Sequence, residues 1–146
     1  MNIAYFLLPK SRVAYLYDDC TFRQGLEKMR HHSYTAIPVI SRDGKYVSTI
    51  SEGDFLWKIL AETPDACSMR DLEQLRIRDM IRGNHYPSVR ITVTMEELLM
   101  SAMNQNFIPV VDDFDTFIGI VTRKDIIRYF SEQKTSSPFD CLEKIV

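Results

Sequence analysis

The sequence predicts an α+β protein made of two tandem copies of a β-α-β-β-α unit, and three observations carry that prediction. The first is an internal repeat: Ala36-Ile37-Pro38-Val39-Ile40 lies over Phe107-Ile108-Pro109-Val110-Val111, with the two prolines 71 positions apart. Held without a gap, the same offset lays Tyr46-Val47-Ser48-Thr49-Ile50 over Phe117-Ile118-Gly119-Ile120-Val121, Ser51 over Thr122 and Asp54 over Asp125. The second is a set of Ser/Thr-x-x-acid-or-amide signals, namely Thr21 with Gln24, Ser51 with Asp54, Thr94 with Glu97 and Thr122 with Asp125. In such a capping box the hydroxyl accepts from the N–H three residues on and the second side chain returns the bond, which marks a helix start. The third is the strand-length apolar runs around both prolines, the first bounded by the hairpin signal Asp43-Gly44.

The elements then follow in order. Residues 13–17 and 88–91 read as the opening extended segment of each copy. Upstream of the prolines the register shifts by two positions, pairing Thr21-Phe22 with Thr94-Met95 and Leu26 with Leu99, so one loop is shorter in the second copy. The helix after Thr94 has an apolar face of Met95, Leu98, Leu99, Met100 and Met103, which reads as core or subunit contact. Asp112-Asp113-Phe114-Asp115 reads as a longer, acidic turn in place of Asp43-Gly44. The closing helices begin at Ser51 and Thr122, and Phe55, Leu56, Trp57, Ile59 and Leu60 make the first a packing helix. Residues 62–75, with Pro64, form a linker with some helix, and the polar run 131–138 ends the periodic pattern. The division is therefore repeat one at 1–61, linker at 62–75, repeat two at 76–131 and a tail at 132–146, where Leu142, Ile145 and Val146 either dock on a neighbour or stay disordered.

Composition agrees with this plan. The 146 residues suffice for one compact domain or two half-domains sharing a core, and 45% hydrophobic with 26% charged residues marks a folded chain. With 18 Lys and Arg against 20 Asp and Glu there is no global basic field for nucleic acid or an anionic membrane, so any anion site must be local. The apolar run at 3–8 is far shorter than a membrane span, which needs about 20 residues, and no basic segment precedes it as in a signal peptide. A cytoplasmic protein is expected. Cys20, Cys67 and Cys141 are too scattered for a disulfide framework or zinc site, and His31-His32 and His85 lack metal-ligand spacing. No Gly-rich phosphate loop and no nucleophile–base motif is present, so the chain is not expected to be an enzyme or to carry a metal or cofactor.

The paired Ile-Pro-Val repeats, each followed by an apolar strand, a Ser/Thr-x-x-Asp and a helix, resemble a pair of CBS domains from about Phe6 to Phe130. Within that family the chain is similar to the small stand-alone CBS proteins of Gram-positive bacteria that bind cyclic di-AMP. Arg12-Val13-Ala14, Ser33-Tyr34-Thr35-Ala36-Ile37-Pro38-Val39 and Thr122-Arg123-Lys124 carry this narrower likeness. The resemblance implies repeats related by a pseudo-twofold axis (a Bateman module), two clefts between the sheets for an adenine nucleotide, and a homodimer built through the closing helices.

One cleft would combine Arg12, Val13 and Ala14 with Tyr34, Thr35, Ala36, Ile37 and Pro38 and with the helix start Thr122, Arg123, Lys124 and Asp125. The other would combine residues 88–90, including Arg90, and residues 106–109, including Phe107 and Ile108, with Ser51 and Asp54. The first ranks higher. A helix N-terminus suits phosphate, and Arg123 and Lys124 in its first turn oppose the helix dipole unless an anion compensates for them. The resemblance further implies that Asp125 meets ribose hydroxyls and that Arg12 stands at the mouth. The alternative is a plain cap worth about 1 kcal/mol, with both cations solvated. At the other helix start, Ser51-Glu52-Gly53-Asp54 sets acids beside any phosphate, so that cleft should be empty or weak unless Arg90 or another chain offsets them. Backbone groups of Ala14, Thr35 and Ala36 would form the adenine edge, and Tyr34 either stacks on the base or sits half-buried at a strand edge. The expected function is a sensor of cyclic di-AMP, with AMP, ADP or ATP as the alternative ligand, that signals to an effector protein. A ligand-free interaction protein is the reading of a different class.

Overall fold

The computed structural model describes residues 2–62, 73–81 and 86–134. Residues 63–72 of the expected linker and 135–146 of the expected tail, with Leu142, Ile145 and Val146, lie outside the described residues, as do Cys67, His85 and Cys141. The chain enters through a 3-10 turn (Ile3–Phe6), a short strand β1 (Leu8–Pro9) and a second 3-10 turn (Lys10–Arg12). Repeat one follows as β2 (Leu16–Tyr17), α1 (Phe22–His32), β3 (Ala36–Ile40), β4 (Tyr46–Ser51) and α2 (Glu52–Glu62). Repeat two runs β5 (Val89–Arg90), α3 (Met95–Asn104), β6 (Phe107–Val111), β7 (Phe117–Thr122) and α4 (Arg123–Lys134). A third 3-10 turn (Ile77–Met80) precedes it. The opening strands are shorter than the expected 13–17 and 88–91, and α4 continues through residues assigned to the tail.

Pairing is the same in both repeats. β2 runs parallel to β3 (Leu16 with Val39) and β3 antiparallel to β4 (Ile37 with Ile50), while β5 runs parallel to β6 (Val89 with Val110) and β6 antiparallel to β7 (Ile108 with Val121). Even the register shifts coincide, falling between Val39 and Ile40 and between Val110 and Val111. The two hairpin turns also match in length, which corrects the expectation of a longer second turn. The Ser41 N–H donates to the Lys45 carbonyl and the Asp112 N–H to the Thr116 carbonyl, and the left-handed position is held by Gly44 (φ 89°) in one and by Asp115 (φ 63°) in the other. Aspartate tolerates that conformation better than most residues, and Asp112 Oδ1 braces the turn by accepting from the N–H groups of Phe114 and Thr116.

These turns locate the pseudo-twofold axis. Lys45 and Thr116, equivalent positions 71 apart, form an antiparallel bridge with each other. Around it the Tyr46 N–H donates to the Asp115 carbonyl and the Phe117 N–H to the Gly44 carbonyl, again equivalent pairs. Each repeat has its own buried cluster, centred on Phe22, Ile37, Ile50 and Phe55 in one and on Leu98, Ile108, Val121 and Ile126 in the other. A third cluster, Val13, Ile40, Phe117 and Ile120, joins them, so the half-domains share a core as their size requires.

The repeats differ at their entry. β1 adds to the second sheet, pairing antiparallel with β7 to give the order β1-β7-β6-β5, and Ile3 and Phe6 are buried in the second core. Residues 3–9, placed by sequence in repeat one, therefore pack with repeat two. Gly119 makes this possible: its φ is +157°, and a Cβ there would stand 2.2 Å from the Leu8 carbonyl oxygen. The equivalent residue in repeat one is Ser48.

Candidate functional site

A cavity of about 390 Å³ opens between the repeats. Repeat one contributes Val13, Ser33, Tyr34, Thr35, Ala36 and Pro38, repeat two contributes Tyr86, Asn104, Asn106, Phe107, Ile120 and Thr122, and β1 contributes Leu8. Local hydrogen bonds set these walls. Ser33 ends α1 in the left-handed conformation (φ 56°) and turns the chain towards β3. The Thr35 carbonyl accepts from the Glu52 N–H at 3.0 Å and the Asn106 carbonyl from the Arg123 N–H at 2.9 Å, tying each loop to the start of the closing helix in its own repeat.

Eight lining residues form four symmetry-related pairs: Ser33 with Asn104, Thr35 with Asn106, Ala36 with Phe107, and Val13 with Tyr86 once the two-residue shift is applied. The cleft thus straddles the pseudo-twofold axis. It is displaced towards α4, because Pro38, Ile120 and Thr122 line it and their counterparts Pro109, Thr49 and Ser51 do not. Its aromatic surfaces are Tyr34, Tyr86 and Phe107; the Tyr86 and Phe107 rings lie 10° from parallel with centroids 6.5 Å apart, and Tyr34 lies 5.4 Å from His32. Hydroxyls and amides supply the polar groups, and no charged side chain is among the described residues of the lining. Such a surface can stack a planar base and read its edge by hydrogen bonds.

Tyr46 fixes the Tyr86 wall from outside. Its hydroxyl donates to the Tyr86 carbonyl at 2.6 Å and lies 2.8 Å from Thr49 Oγ1, and burial pushes the phenol well above the ordinary tyrosine range.

Of the residues expected at the first cleft, Val13, Tyr34, Thr35, Ala36, Pro38 and Thr122 come together, and the others do not line it. Ile37 is fully buried in the first core and Ala14 packs against it, as strand alternation dictates for Ile37. Arg12 and Lys124 are exposed and outside the lining. Arg123 Nε donates to the Ala102 carbonyl at 2.7 Å, so this cation caps the C-terminal turn of α3. A charge that opposes the dipole of its own helix is thereby matched to the negative end of a neighbouring one. Asp125 donates its backbone N–H to Thr122 Oγ1 at 3.2 Å, while its carboxylate stands 3.9 Å from Arg128 and lines a second cavity, of about 280 Å³, with Tyr5, Phe6 and Tyr129.

The expected second cleft does not assemble as one group. Phe107 and Asn106 line the first cleft instead, since Phe107 pairs directly with Thr122 across β6 and β7. Ile108 is fully buried in the second core. Arg90 is drawn away to the acidic turn, donating to the Asp113 carbonyl at 3.1 Å with the Asp113 and Asp115 carboxylates 3.7 and 3.8 Å away. Ser51 and Asp54 close a capping box, the Ser51 N–H donating to Asp54 Oδ2 at 2.8 Å and the Asp54 N–H to Ser51 Oγ at 3.3 Å. Leu8, Ser33, Tyr86, Asn104 and Ile120 were not foreseen. For Ser33 and Asn104 the signal was available in the repeat offset, whereas Leu8 depends on the crossing of β1 into the other repeat. Among the described residues no group of three or more His, Cys, Asp or Glu side chains could hold a metal, and no helix is long and apolar enough to cross a membrane.

Comparison with known proteins agrees with this geometry. The CBS domain family matches twice, at residues 7–61 and 77–132. A crystal structure of CbpB in complex with c-di-AMP superposes with a TM-score of 0.86 at 21% identity, covering 96% of this chain and 91% of that one. CBSX2 in complex with AMP superposes with a TM-score of 0.70 at 22% identity, covering 91% and 98%. An L-aspartate semialdehyde sulfurtransferase of Methanocaldococcus jannaschii is 30% identical over 103 residues, which are 70% of this chain but 18% of that much longer protein. The repeated fold, the shared core on a pseudo-twofold axis and the double family match place the chain in the CBS-domain family, as a tandem pair.

Proposed function

We propose that this chain is a regulatory adenine-nucleotide sensor that binds one cyclic di-AMP in the cleft around Thr122 and passes its bound or empty state to an effector protein in the cytoplasm. The observation that carries this reading is the paired lining. A cyclic dinucleotide has a twofold axis of its own, and Ser33 with Asn104, Thr35 with Asn106 and Ala36 with Phe107 offer it the same positions from both sides. Each of its phosphodiesters carries one negative charge, which an uncharged lining and the start of α4 tolerate better than a triphosphate. The fold likeness to CbpB, solved with c-di-AMP, supports the same ligand, and the likeness to CBSX2, solved with AMP, keeps a mononucleotide as the alternative. The reading is of binding without turnover, supported by a described lining of hydroxyls, amides and apolar side chains.

The second element of the reading is a homodimer. α2 exposes Leu56, Trp57 and Leu60, α3 exposes Met100 and Met103, and α4 exposes Ile127, apolar side chains suited to contact with a second copy of the chain. In sedimentation the wild type should run as a dimer and Trp57→Glu as a monomer.

Calorimetric titration with cyclic di-AMP, AMP and ATP tests the ligand. One cyclic di-AMP per chain is expected, with binding lost in Ala36→Phe, which copies the bulk of Phe107 onto the opposite wall. Tighter binding of AMP than of cyclic di-AMP would select the mononucleotide, and only millimolar binding of all three would end the sensor reading.

A further inference from the structure

The two hairpin turns share length, left-handed position and backbone hydrogen bonds, yet differ at the apex, where Phe114 of repeat two stands in the place of Asp43. Repeat one shows that the turn forms without an aromatic residue there. Phe114 is nonetheless 79% exposed, level with Met103 as the most exposed of the large apolar side chains described. It is also held in place rather than left on a loose loop. Its N–H bonds Asp112 Oδ1, Arg90 grips the Asp113 carbonyl, and the repeat-one turn is bonded alongside through Tyr46. A ring presented on a prearranged backbone loses little entropy on binding, which is how interface anchors act.

We propose that Phe114 is the anchor of a protein-docking surface, and that the partner offers an apolar pocket rimmed by lysine and arginine. The charge of the rim follows from the neighbouring side chains: the Asp113 and Asp115 carboxylates, which flank Phe114 in sequence, are 75% and 69% exposed and share one cation, Arg90. Beyond its Arg42–Asp19 ion pair, the repeat-one turn alongside adds one exposed acid, Asp43, and one exposed base, Lys45, leaving an acidic excess. The turn lies at the far end of β3 and β6 from Ala36 and Phe107, so a partner here leaves the cleft open. The inference therefore stands whether or not the nucleotide reading holds.

A display library of small folded domains with randomised surface positions, selected against the immobilised full chain, is the probe. Enriched domains should present a cluster of apolar side chains ringed by Lys or Arg, bind Phe114→Ser and Phe114→Ala at least tenfold more weakly than wild type, and lose several-fold in affinity and much of their salt dependence on Asp113→Asn with Asp115→Asn. Because the repeat-one turn forms with a polar residue at the apex, thermal unfolding of Phe114→Ser should match wild type. Domains that bind the Phe114 variants within twofold of wild type, that lack the basic–apolar pattern, or that fail to enrich at all would overturn the proposal.

Discussion

The two repeats have the same pairing and the same register shifts, but their sheets close differently. Repeat two takes β1 from the other end of the chain along β7, and its core includes Ile3 and Phe6; the equivalent edge in repeat one is β4, with Ser48 where Gly119 stands. The missing Cβ at Gly119 leaves room for the entering strand on β7. The cleft inherits the asymmetry, because Leu8 of β1 lines it beside Ile120 and Thr122. Near-identical backbones become a one-sided site through a single crossing segment.

The largest effect should come from making the repeats alike at this point. Gly119→Ser would put a Cβ 2.2 Å from the Leu8 carbonyl and force β1 away, exposing part of Ile3 and Phe6. A loss of about 3 kcal/mol is expected in urea unfolding, together with weakened nucleotide binding, whereas Ser48→Gly should cost only about 1 kcal/mol. Equal costs for the two substitutions would show that β1 does not distinguish the repeats.

Next in size is Tyr46→Phe. Tyr46 bonds Tyr86, which lines the cleft, and its equivalent Phe117 has no hydroxyl with which to do the same in repeat two. Removing the hydroxyl leaves the Tyr86 carbonyl short of a partner and should cost about 1–2 kcal/mol. The pH dependence has a definite sign. Burial raises the Tyr46 pKa in the folded state, so its contribution is fully present below the ordinary value of 10.0 and falls away as pH rises above it. Wild type should lose stability on that alkaline limb more steeply than Tyr46→Phe, and parallel limbs would contradict the burial of the hydroxyl.

A smaller difference separates the closing helices. Asp54 Oδ2 accepts from both the N–H and the hydroxyl of Ser51, whereas the Asp125 carboxylate lies 3.9 Å from a well-exposed Arg128. Asp54→Asn should lower stability by about 1 kcal/mol and Asp125→Asn by less than about 0.5 kcal/mol, read as shifts of the urea midpoint. A larger cost at Asp125 would mean that its carboxylate, not that of Asp54, holds the helix start.

What the sequence made legible follows the periodicity. Pro38 and Pro109, the spacing of the strands and the capping signals revealed both repeats, since strand alternation and helix starts are local properties. The turn at Asp112 reads as longer than it is because left-handed backbone is written there with Asp115 rather than glycine. At the site, the loop positions Tyr34, Thr35 and Ala36 were legible from their place before β3, but the cations were not: Arg123 serves the end of α3 and Arg90 the acidic turn, and both partners are distant in sequence. Which carbonyl or carboxylate captures an arginine is decided by packing between elements, and neither composition nor spacing encodes that directly.

The smallest effect concerns where each repeat keeps its surface arginine. In repeat one the arginine is on the turn: Arg42 lies 4.0 Å over the Tyr17 ring and bonds both oxygens of Asp19 at 2.8 and 2.9 Å. In repeat two Arg90 stands in the place of Tyr17, Asp113 in the place of Arg42 and Thr92 in the place of Asp19, so the cation of the strand-to-turn link sits on the strand instead of the turn. The Arg42 bond holds the Asp19 carboxyl below its usual 3.8, so whatever the pair contributes is present above that value and is lost as pH falls through the lower folded pKa. Both groups face solvent, which screens the gain. Arg42→Gln should therefore return the Asp19 titration, followed by NMR, towards 3.8 with little change in the unfolding midpoint near neutral pH. A titration that stays low in the variant would assign the shift to Arg76 and Arg78 and remove Arg42 from the comparison between the repeats.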